Sequence, residues 1–348
     1  MCHDLPMHAA LITGKETVEF VEVPDPTPAA DGVVVDIQLC GICGTDIHAW
    51  QSGDPYNPAI CGHEWTGLVS AVGAEVRSFS EGDRVVCAVP PACGRCDACV
   101  AGQSMWCQST FLVAVGRDPH AQPHGGFATQ IAAHKSRVVH VNPALTVEQA
   151  AQVEPATVGF HAVRQTQPML GDIAVVQGAG PIGLVTLQAA LAGGAGEVIV
   201  VEPNEARRAL ASELGATHVV GLDTADAFIA ERTKGLGADL VYECVGRPET
   251  IQHAVDRARR GGRVCLIGLP IGEASINPAV WLIKEIQFSS ALAYTHDDFD
   301  RCMGMIADGR VQLDPMHSST VSVADLNGAI ADLASGSSTE TKVLVAPR

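Results

Sequence analysis

Two patterns of hydrophobic and polar positions divide this chain near residue 150. Before that point, short apolar runs such as "GVVVDIQL", "TGLVSAVG" and "RVVHVN" alternate with turns rich in Gly and Pro. Runs of this length, with many β-branched residues, are typical of an irregular and mostly antiparallel β region. A β-rich first domain is therefore predicted.

Between about residues 150 and 290 the pattern changes to alternating apolar strands and helices. "DIAVVQGAG" and "GEVIVVEP" have the composition of buried strands, and "PIGLVTLQAALAGG", "NEARRALASELG" and "ETIQHAVDRARRGG" that of helices, with Asn204 as the expected N-cap of the second helix. Near-continuous apolar strands separated by helices indicate a parallel sheet covered on both faces. After residue 290 the pattern is mixed, and the final "TKVLVAPR" is expected to return to the first domain as an edge strand.

The first strand–helix junction of this second region has the spacing G-x-G-x-x-G. Gly178 allows a tight turn, Gly180 lets the backbone approach a pyrophosphate, and Gly183 allows close packing of helix on strand. The helix that follows from Pro181 would direct its free N–H groups toward the phosphates. The junction is therefore predicted to bind a dinucleotide.

An acidic residue, Glu202, closes the next strand. A carboxylate at this place can accept hydrogen bonds from a ribose 2′-hydroxyl and would repel a 2′-phosphate, which favours NAD over NADP. Arg207 and Arg208 lie close by and could instead serve a phosphate. Because Glu202 is present, we assign both arginines to the adenosine side or to the surface.

Four cysteines occur within one short segment, "CGRCDACVAGQSMWC", with the spacing C-x2-C-x2-C-x7-C. Four thiolates can close a tetrahedral cage around zinc, and they can also hold an iron–sulfur cluster. The tight spacing inside a β-rich domain, without a Pro after the last cysteine, favours zinc. A structural zinc site is therefore predicted at Cys93, Cys96, Cys99 and Cys107.

Composition narrows the possible functions. A length of 348 residues suggests about two domains, and a formal net charge of −17 argues against binding to nucleic acids or to anionic membranes. The N-terminus lacks the features of a signal peptide, and the longest apolar runs are too short to span a bilayer. We therefore expect a cytoplasmic protein, whose twelve cysteines serve metal binding or catalysis rather than disulfides.

Further cysteine, histidine and acidic residues fall in three separate stretches, "CGICGTDIHAW", "CGHEWTG" and "QVEPATVGFHAV". Cys40 and Cys43 form a C-x-x-C, which is typical of a zinc site or of a redox pair. A catalytic zinc site needs three protein donors and one open position. The candidates for such a site and its surroundings are Cys43, Thr45, Asp46, His48, His63, Glu64 and Glu154.

Taken together, these stretches resemble the zinc-dependent medium-chain alcohol dehydrogenase family, in particular its 2,3-butanediol and sorbitol (polyol) dehydrogenase branch. "GICGTDIH", "GHEWTGLVSAVGAEVRSFSEGDRV", the four-cysteine segment, "VEPATVGFHAV" and "GAGPIGL" occur in the family's order. The resemblance implies an α/β protein, with a GroES-like catalytic domain at residues 1–152 and 291–348 around a Rossmann domain at residues 153–290. It also implies NAD as coenzyme and two zinc ions per chain, one catalytic and one structural.

Position by position, the resemblance implies that Cys43 and His63 bind the catalytic zinc. The alcohol dehydrogenase branch has a cysteine as third ligand, whereas this chain has Glu154 at that position, as in the polyol branch. In the polyol branch the carboxylate matching Glu64 can itself bind the metal, so the choice between the two carboxylates stays open. The histidines expected to be solvated or structural, and not ligands, are His3, His8, His120, His124 and His134.

The resemblance also implies roles for residues around the metal and the coenzyme. Thr45 and His48 would relay the alcohol's proton away from a buried site, and Asp46 would hydrogen-bond the zinc ligand His63. The residues expected beside the coenzyme are Pro181, Ile182, Arg207, Val245, Ile267, Leu269 and, at the pyrophosphate, Lys342.

The implied activity is hydride transfer between NAD and a secondary alcohol or vicinal diol, of the 2,3-butanediol type, and the corresponding ketone. Polyols such as sorbitol or xylitol, and L-threonine, are the alternative substrates. A zinc-free enone or quinone reductase, or an NAD sensor without activity, would lack the donor set or an intact relay. A homodimer or homotetramer is expected, and the residues expected to give the pocket an apolar lining are Trp50, Val89, Phe111 and Tyr294.

Overall fold

The structure is a computed structural model that describes residues 7–117 and 122–348, so His3 and His120 lie outside the described residues. Within the described part of the chain, no helix is both long enough and apolar enough to cross a membrane.

The strands, labelled β1 to β15 in chain order, are Met7–Gly14, Thr17–Val23, Gly32–Gly41, Glu64–Val72, Arg84–Cys87, Gln130–His134, Val138–His140, Ile173–Gln177, Glu197–Val201, His218–Val220, Ala238–Glu243, Ala258–Leu266, Gln287–Ser290, His317–Ser322 and Lys342–Ala346. The α-helices, labelled α1 to α12, are Gly44–Ser52, Asp97–Val100, Gln108–Ala114, Val147–Ala150, Val153–Thr166, Pro181–Ala192, Glu205–Glu213, Ala225–Arg232, Pro248–Arg257, Pro278–Lys284, His296–Ala307 and Leu326–Ala334.

The chain forms two compact units. The first unit comprises the residues up to Glu154 with Thr295–Gly304 and His317–Arg348, and the second comprises Pro155–Tyr294 and Met305–Met316. In this division, residues 291–294 and 305–316, predicted in the first domain, belong to the second unit, and residues 153 and 154, predicted in the Rossmann domain, belong to the first.

A buried polar contact explains part of that difference. The carboxamide of Gln188, on α6, accepts a hydrogen bond from the backbone N–H of Gln312 at 2.7 Å and donates one to the carbonyl of the same residue at 3.2 Å. Because Gln188 is only 4% exposed, losing these partners would leave a buried amide without hydrogen bonds. The segment around Gln312 is thereby held to α6, a pairing across 124 residues that local patterning cannot reveal.

The second unit is built on a parallel sheet with the strand order β10-β9-β8-β11-β12-β13. The order reverses between β8 and β11, the switch point at which sheets of this kind bind ligands beyond the carboxyl ends of their strands. Val175, Ile199 and Val241 are fully buried in the sheet, as near-continuous apolar strands require. The predicted α/β fold with a Rossmann-type sheet is confirmed.

The first unit contains a mostly antiparallel sheet of the described strands in the order β14-β15-β3-β4-β5-β7, and β6 pairs with β3. The prediction of an edge strand at the C-terminus is wrong in one respect. β15 does return to this unit, but it lies between β14 and β3 and pairs with both. Leu344 and Val345 are fully buried on opposite faces of that strand, which favours an interior position.

The predicted helix "ETIQHAVDRARRGG" is shorter than expected. α9 ends at Arg257, and β12 begins at Ala258 and pairs with Ala238 of β11. The ammonium of Lys284 donates hydrogen bonds of 2.7 to 3.0 Å to the carbonyls of Val255, Asp256 and Ala258. A cation at the last carbonyls satisfies a helix end, so α9 stops here and frees the following residues to pair as a strand.

Candidate active site

Cys43, the second cysteine of "CGICGTDIHAW", lies where a strand meets a helix. Cys43 follows β3, is the N-cap residue of α1, and donates its backbone N–H to Oδ2 of Asp46 at 2.9 Å. A carboxylate at this helical position satisfies a free donor of the helix N-terminus. The thiol of Cys43 is therefore held on a fixed backbone. Its C-x-x-C partner Cys40 is fully buried in β3, outside the metal-donor group described next.

Three side chains of the first unit place metal-binding atoms close together. The sulfur of Cys43, a ring nitrogen of His63 and a carboxylate oxygen of Glu64 all lie within 4.8 Å of one another. Glu154, at the start of α5, lies outside this compact group, although its charge acts on His63 and on Lys342. The structure therefore brings together three of the four candidate ligands.

The orientation of His63 suits a metal ligand. Nδ1 of His63 lies 2.9 Å from the carbonyl oxygen of Ile60, and a carbonyl can only accept a hydrogen bond, so Nδ1 carries the proton in the neutral ring. Nε2 then keeps its lone pair for a metal. Burial lowers the pKa of His63, but the charges of Cys43, Glu154 and Asp46 outweigh it and raise that pKa well above its usual value. The surroundings thus favour a cation, and thiolate, imidazole and carboxylate are donors that fit zinc.

A buried lysine, Lys342, pairs with Glu64. Its ammonium donates to Oε2 of Glu64 and to the carbonyl of Ile42, the latter at 2.9 Å, and both charged side chains are 2% exposed. Burial lowers the pKa of Lys342, but the charges of Glu64 and Cys43 raise it above its usual value overall. The expectation that Lys342 reaches the pyrophosphate is not met, because its ammonium is fully engaged inside the first unit.

The backbone at Gly41 makes room for this ion pair. A Cβ atom at Gly41 would lie 2.2 Å from Oε2 of Glu64 and 2.9 Å from Nζ of Lys342. Contacts this close cannot be accommodated without displacing one of the charges. Neither this glycine nor the pairing partner of Glu64 was recognised from the sequence, because 278 residues separate the two charged residues.

Asp46 is fully buried, and its contacts differ from the expected ones. Besides the backbone of Cys43, its carboxylate accepts hydrogen bonds from the hydroxyl of Tyr56 at 2.7 Å and from the backbone N–H of Gly62 at 3.3 Å. The expected hydrogen bond to His63 is replaced by the contact of that ring with Ile60. Asp46 therefore positions His63 through the backbone of the preceding glycine.

Thr45 and His48 lie in the first turns of α1, three residues apart and therefore on one face of the helix. Oγ1 of Thr45 is 3.6 Å from the sulfur of Cys43. Burial lowers the pKa of His48, and its buried Nδ1 has no hydrogen-bond partner among the residues that the structure describes. A neutral imidazole with a free ring nitrogen can accept a proton.

The four-cysteine segment forms a second donor group in the first unit. The sulfurs of Cys93, Cys96, Cys99 and Cys107 all lie within 4.8 Å of one another. Although burial raises the pKa of Cys107, hydrogen bonds from the backbones of Cys93 and Thr110 lower it to about 5. A thiolate is the metal-binding form of cysteine. Four sulfur donors would fill a tetrahedral shell, so this group fits a structural zinc ion.

The glycine motif lies in the second unit at the carboxyl end of β8. Gly178 has φ = +91°, a conformation that favours glycine, and Gly180 is the N-cap of α6, which begins at Pro181. A Cβ at Gly183 would lie 2.0 Å from the carbonyl oxygen of Gly178, whereas a Cβ at Gly180 would meet nothing within 4 Å. Gly183 therefore serves packing, and Gly180 borders open space, as expected for a residue that faces a pyrophosphate.

Glu202 is buried directly beside the glycine motif. Its Oε2 accepts a hydrogen bond from the backbone N–H of Ala179 at 2.8 Å, and its Oε1 accepts one from Asn204 at 2.9 Å. Arg207 lies in the first turn of α7, and its backbone N–H donates to the side chain of Asn204 at 3.1 Å, which confirms the expected N-cap. Arg208 donates to the carbonyls of Glu202 and Pro203.

The remaining expected coenzyme residues follow the neighbouring strands of this sheet. Val245 follows β11, and Ile267 and Leu269 follow β12, so all three lie at the same sheet edge as the glycine motif. Glu243 was missed from the sequence. It is buried at the end of β11, and its carboxylate accepts hydrogen bonds from the backbones of Val245 and Gly246, fixing this turn.

Two of the residues expected to give the pocket an apolar lining differ in their surroundings. Trp50 is buried in the core, and its indole donates a hydrogen bond to Asn327. Phe111 is 54% exposed on α3. The pocket that includes His63 has a mixed lining, with apolar residues such as Trp65 and Ile131 beside the polar residues Gln122, His124 and Arg137.

Comparison with known proteins agrees with this geometry. The alcohol dehydrogenase GroES-like domain matches residues 29–143, and the zinc-binding dehydrogenase domain matches residues 181–308. The 2-dehydro-3-deoxy-L-galactonate 5-dehydrogenase of Pseudoalteromonas atlantica is 34% identical over 332 residues, which cover 94% of this chain and 95% of that protein.

The chain belongs to the zinc-dependent medium-chain alcohol dehydrogenase family. Within this family it is also similar to the sorbitol dehydrogenase of Bacillus subtilis, with 34% identity over 279 residues and 78% coverage of each chain.

Solved structures of the family extend the likeness to the whole chain. The 2R,3R-butanediol dehydrogenase of Bacillus subtilis has a TM-score of 0.83 and 28% identity, and the match covers 98% of this chain and 100% of that one. A zinc-binding dehydrogenase of Sinorhizobium meliloti, solved with NADP, has a TM-score of 0.85 and 29% identity. The match covers 99% of this chain and 100% of that one. This alcohol dehydrogenase is therefore a zinc enzyme of the polyol branch that uses a nicotinamide cofactor.

Proposed function

We propose that this alcohol dehydrogenase transfers hydride between NAD and a secondary alcohol or vicinal diol of the 2,3-butanediol type. The observation that carries the proposal is the compact group of Cys43, His63 and Glu64, with the hydroxyl of Thr45 3.6 Å from the sulfur of Cys43. A zinc-free enone or quinone reductase would have no use for such a donor group. Three protein donors also leave an open position, which a catalytic zinc site requires.

The residues around the donor group have distinct roles in this proposal. Zinc, when bound by Cys43, His63 and Glu64, would supply Lewis acidity toward an alcohol oxygen. The hydroxyl of Thr45 would accept the alcohol's proton at Oγ1 and release its own hydroxyl proton, which Nδ1 of His48 would take up and pass toward solvent. Because burial keeps the pKa of His48 low, this ring releases the proton again readily.

The two carboxylates near the donor group are assigned different roles. Glu64 would be the third zinc ligand, since one of its carboxylate oxygens lies within the donor group, and Lys342 pairs with the same carboxylate. Glu154, whose charge acts on His63, would bind near the metal or its water. The four cysteines from Cys93 to Cys107 would hold the second zinc ion, giving two ions per chain.

NAD is proposed as the coenzyme in preference to NADP. The carboxylate of Glu202 lies next to Ala179 of the glycine motif, where it would repel a 2′-phosphate. Arg208 is engaged by two backbone carbonyls, which reduces its availability for a phosphate. Proposed contacts of the bound coenzyme are Gly178, Gly180, Pro181, Ile182, Gly183, Glu202, Arg207, Val245, Ile267 and Leu269.

A homodimer or homotetramer is proposed as the assembly, in the cytoplasm, where cysteines stay reduced for metal binding. β13 is the edge strand of the parallel sheet, and its Phe288 is exposed. Leu282 and Ile283 on α10, and Ile271 in the preceding loop, are exposed as well. Apolar residues beside an unpaired strand edge commonly mark a protein interface. Light scattering of the purified protein would contradict the proposal if it gave the mass of one chain.

A screen of NAD reduction tests the proposed activity. The substrates are 2-butanol, 2,3-butanediol, sorbitol, xylitol and L-threonine, each with NAD and with NADP. We expect the highest kcat/KM with 2,3-butanediol and NAD. Sorbitol is the alternative favoured by similarity to a sorbitol dehydrogenase. Turnover of none of these alcohols by zinc-loaded enzyme would contradict the proposal.

A further inference from the structure

One buried histidine in the first unit, His124, has a ring nitrogen that receives no hydrogen bond from the described residues. His124 is only 3% exposed, and it lines the same pocket as the candidate zinc ligand His63. Nδ1 of His124 lies 2.8 Å from the carbonyl oxygen of Gly125, and the structure shows no hydrogen bond from the described residues to Nε2. From its sequence context this histidine was expected to be solvated or structural.

The contact with Gly125 determines what Nε2 can do. A carbonyl oxygen only accepts, so Nδ1 must donate to it and therefore carries the proton of the neutral ring. Burial lowers the pKa of His124, more than the hydrogen bond to Gly125 raises it, so the ring is neutral near pH 7. Nε2 is then a hydrogen-bond acceptor, and an anion in the pocket would not find a partner in it.

The backbone around His124 is fixed against the segment that carries His63. The N–H of Gly126 donates to the carbonyl of Gly62 at 2.6 Å, and a Cβ at Gly125 would lie 2.1 Å from the carbonyl oxygen of Cys61. Only glycine residues allow the two backbones to pack this closely. His124 therefore has a set position relative to the donor group, which is what a group that selects a substrate needs.

We propose that Nε2 of His124 accepts a hydrogen bond from a second hydroxyl of the substrate, next to the hydroxyl that is oxidised, and thereby selects diols and polyols over simple alcohols. This inference rests on the proposed dehydrogenase function and assigns its substrate class. An acceptor in the wall of the pocket favours a partner that donates, since a substrate without a second hydroxyl would displace water from Nε2 and leave it unpaired. An ammonium group at the same carbon would donate equally well, so the test includes both.

The test compares kcat/KM for 2,3-butanediol, 3-amino-2-butanol and 2-butanol in wild type and in His124→Phe. The phenyl ring keeps the volume but has no acceptor. The diol to mono-alcohol ratio should fall by roughly tenfold or more in His124→Phe, the usual effect of losing a substrate hydrogen bond in a buried site. An unchanged ratio, including an equal loss for all three substrates, overturns the proposal. A fall confined to the amino alcohol overturns the hydroxyl assignment.

His134→Phe is the matched control. His134 lines the same pocket, but its ring nitrogens already contact Ser136 at 2.7 Å and Asp31 at 3.0 Å, so the diol to mono-alcohol ratio should not change. A ratio that fell equally in this variant would contradict a specific role for His124. If His124→Phe does not fold, as judged by its melting curve, His124→Ala removes the same acceptor without adding bulk.

A binding measurement separates this inference from the proposed activity. If the wild-type enzyme oxidises none of the three substrates, the proposed function fails. In that case the hydroxyl contact is tested by binding: Tm of the zinc-loaded protein is measured with and without sorbitol or 2,3-butanediol. A rise in wild type that is lost in His124→Phe supports the hydroxyl contact, and equal behaviour of the two proteins overturns it.

Discussion

At the scale of single residues, the pair Lys342 and Glu64 shows how much of the site depends on electrostatic compensation. Two opposite charges, each 2% exposed, lie against each other and against the donor group. Removing one partner of such a pair leaves an uncompensated charge away from water, which costs far more than the pair itself contributes. The lysine thus allows the carboxylate of Glu64 to lie buried within the group of metal-donor side chains.

Lys342→Met tests this compensation directly. We expect the free energy of unfolding to fall by about 3 to 5 kcal/mol, because Glu64 would remain buried without a partner. Thermal or denaturant unfolding of the metal-free protein measures the change. The double variant Lys342→Met with Glu64→Gln should recover part of it, since the unpaired charge is gone. Lys15→Met, at an exposed position, is the control, and an equally small effect of both lysine variants would refute the account.

Glu202 is the residue on which the proposed preference for NAD over NADP depends. In Glu202→Ala, the ratio of kcat/KM for NAD to that for NADP should fall by about tenfold or more, because one charge-assisted hydrogen bond to the ribose and the repulsion of a 2′-phosphate are both lost. Steady-state kinetics with both coenzymes measure the ratio. Glu205→Ala, exposed in the first turn of α7, should leave it unchanged. Unchanged coenzyme kinetics in Glu202→Ala would rule out the ribose assignment.

At the scale of elements, the glycine motif couples a strand to a helix through two glycines with different duties. Gly183 brings α6 against the turn at Gly178, with no room for a Cβ. Gly180 has an ordinary N-cap conformation, φ = −73°, and faces open space. One position therefore serves the fold and the other the ligand.

Two alanine substitutions separate these duties. Gly183→Ala should lower Tm and weaken coenzyme binding together, because its Cβ would press on the backbone carbonyl of Gly178. Gly180→Ala should leave Tm nearly unchanged but weaken the binding of NADH, since the methyl group would occupy space needed by the pyrophosphate. Calorimetric melting and titration with NADH provide both readouts. Equal losses of Tm in the two variants would contradict the division.

The elements themselves could be predicted to different degrees. The strands and helices around the glycine motif, and the N-cap Asn204, followed from local periodicity and were confirmed. The end of α9 did not follow from local periodicity, because Lys284, on another helix, donates hydrogen bonds to the carbonyls at that end. The same reason applies to Lys342 and His124, whose roles depend on contacts with distant or backbone groups that a sequence pattern does not contain.

At the scale of the whole molecule, two metal-donor groups lie in the first unit and the dinucleotide motif in the second. The chemistry of the two donor groups differs. Cys43, His63 and Glu64 leave an open position, whereas four cysteines leave none. The central claim is therefore that this enzyme holds one zinc ion for catalysis and another for stability.

Zinc content, measured by mass spectrometry on the purified wild type and on Cys43→Ser and Cys96→Ser, tests that claim most directly. We predict two zinc ions per wild-type chain and a loss of one ion in each variant. Cys43→Ser should lose turnover while keeping its Tm within a few degrees of wild type, and Cys96→Ser should lose Tm instead. A single zinc ion in the wild type, or equal losses of activity and Tm in both variants, would contradict it.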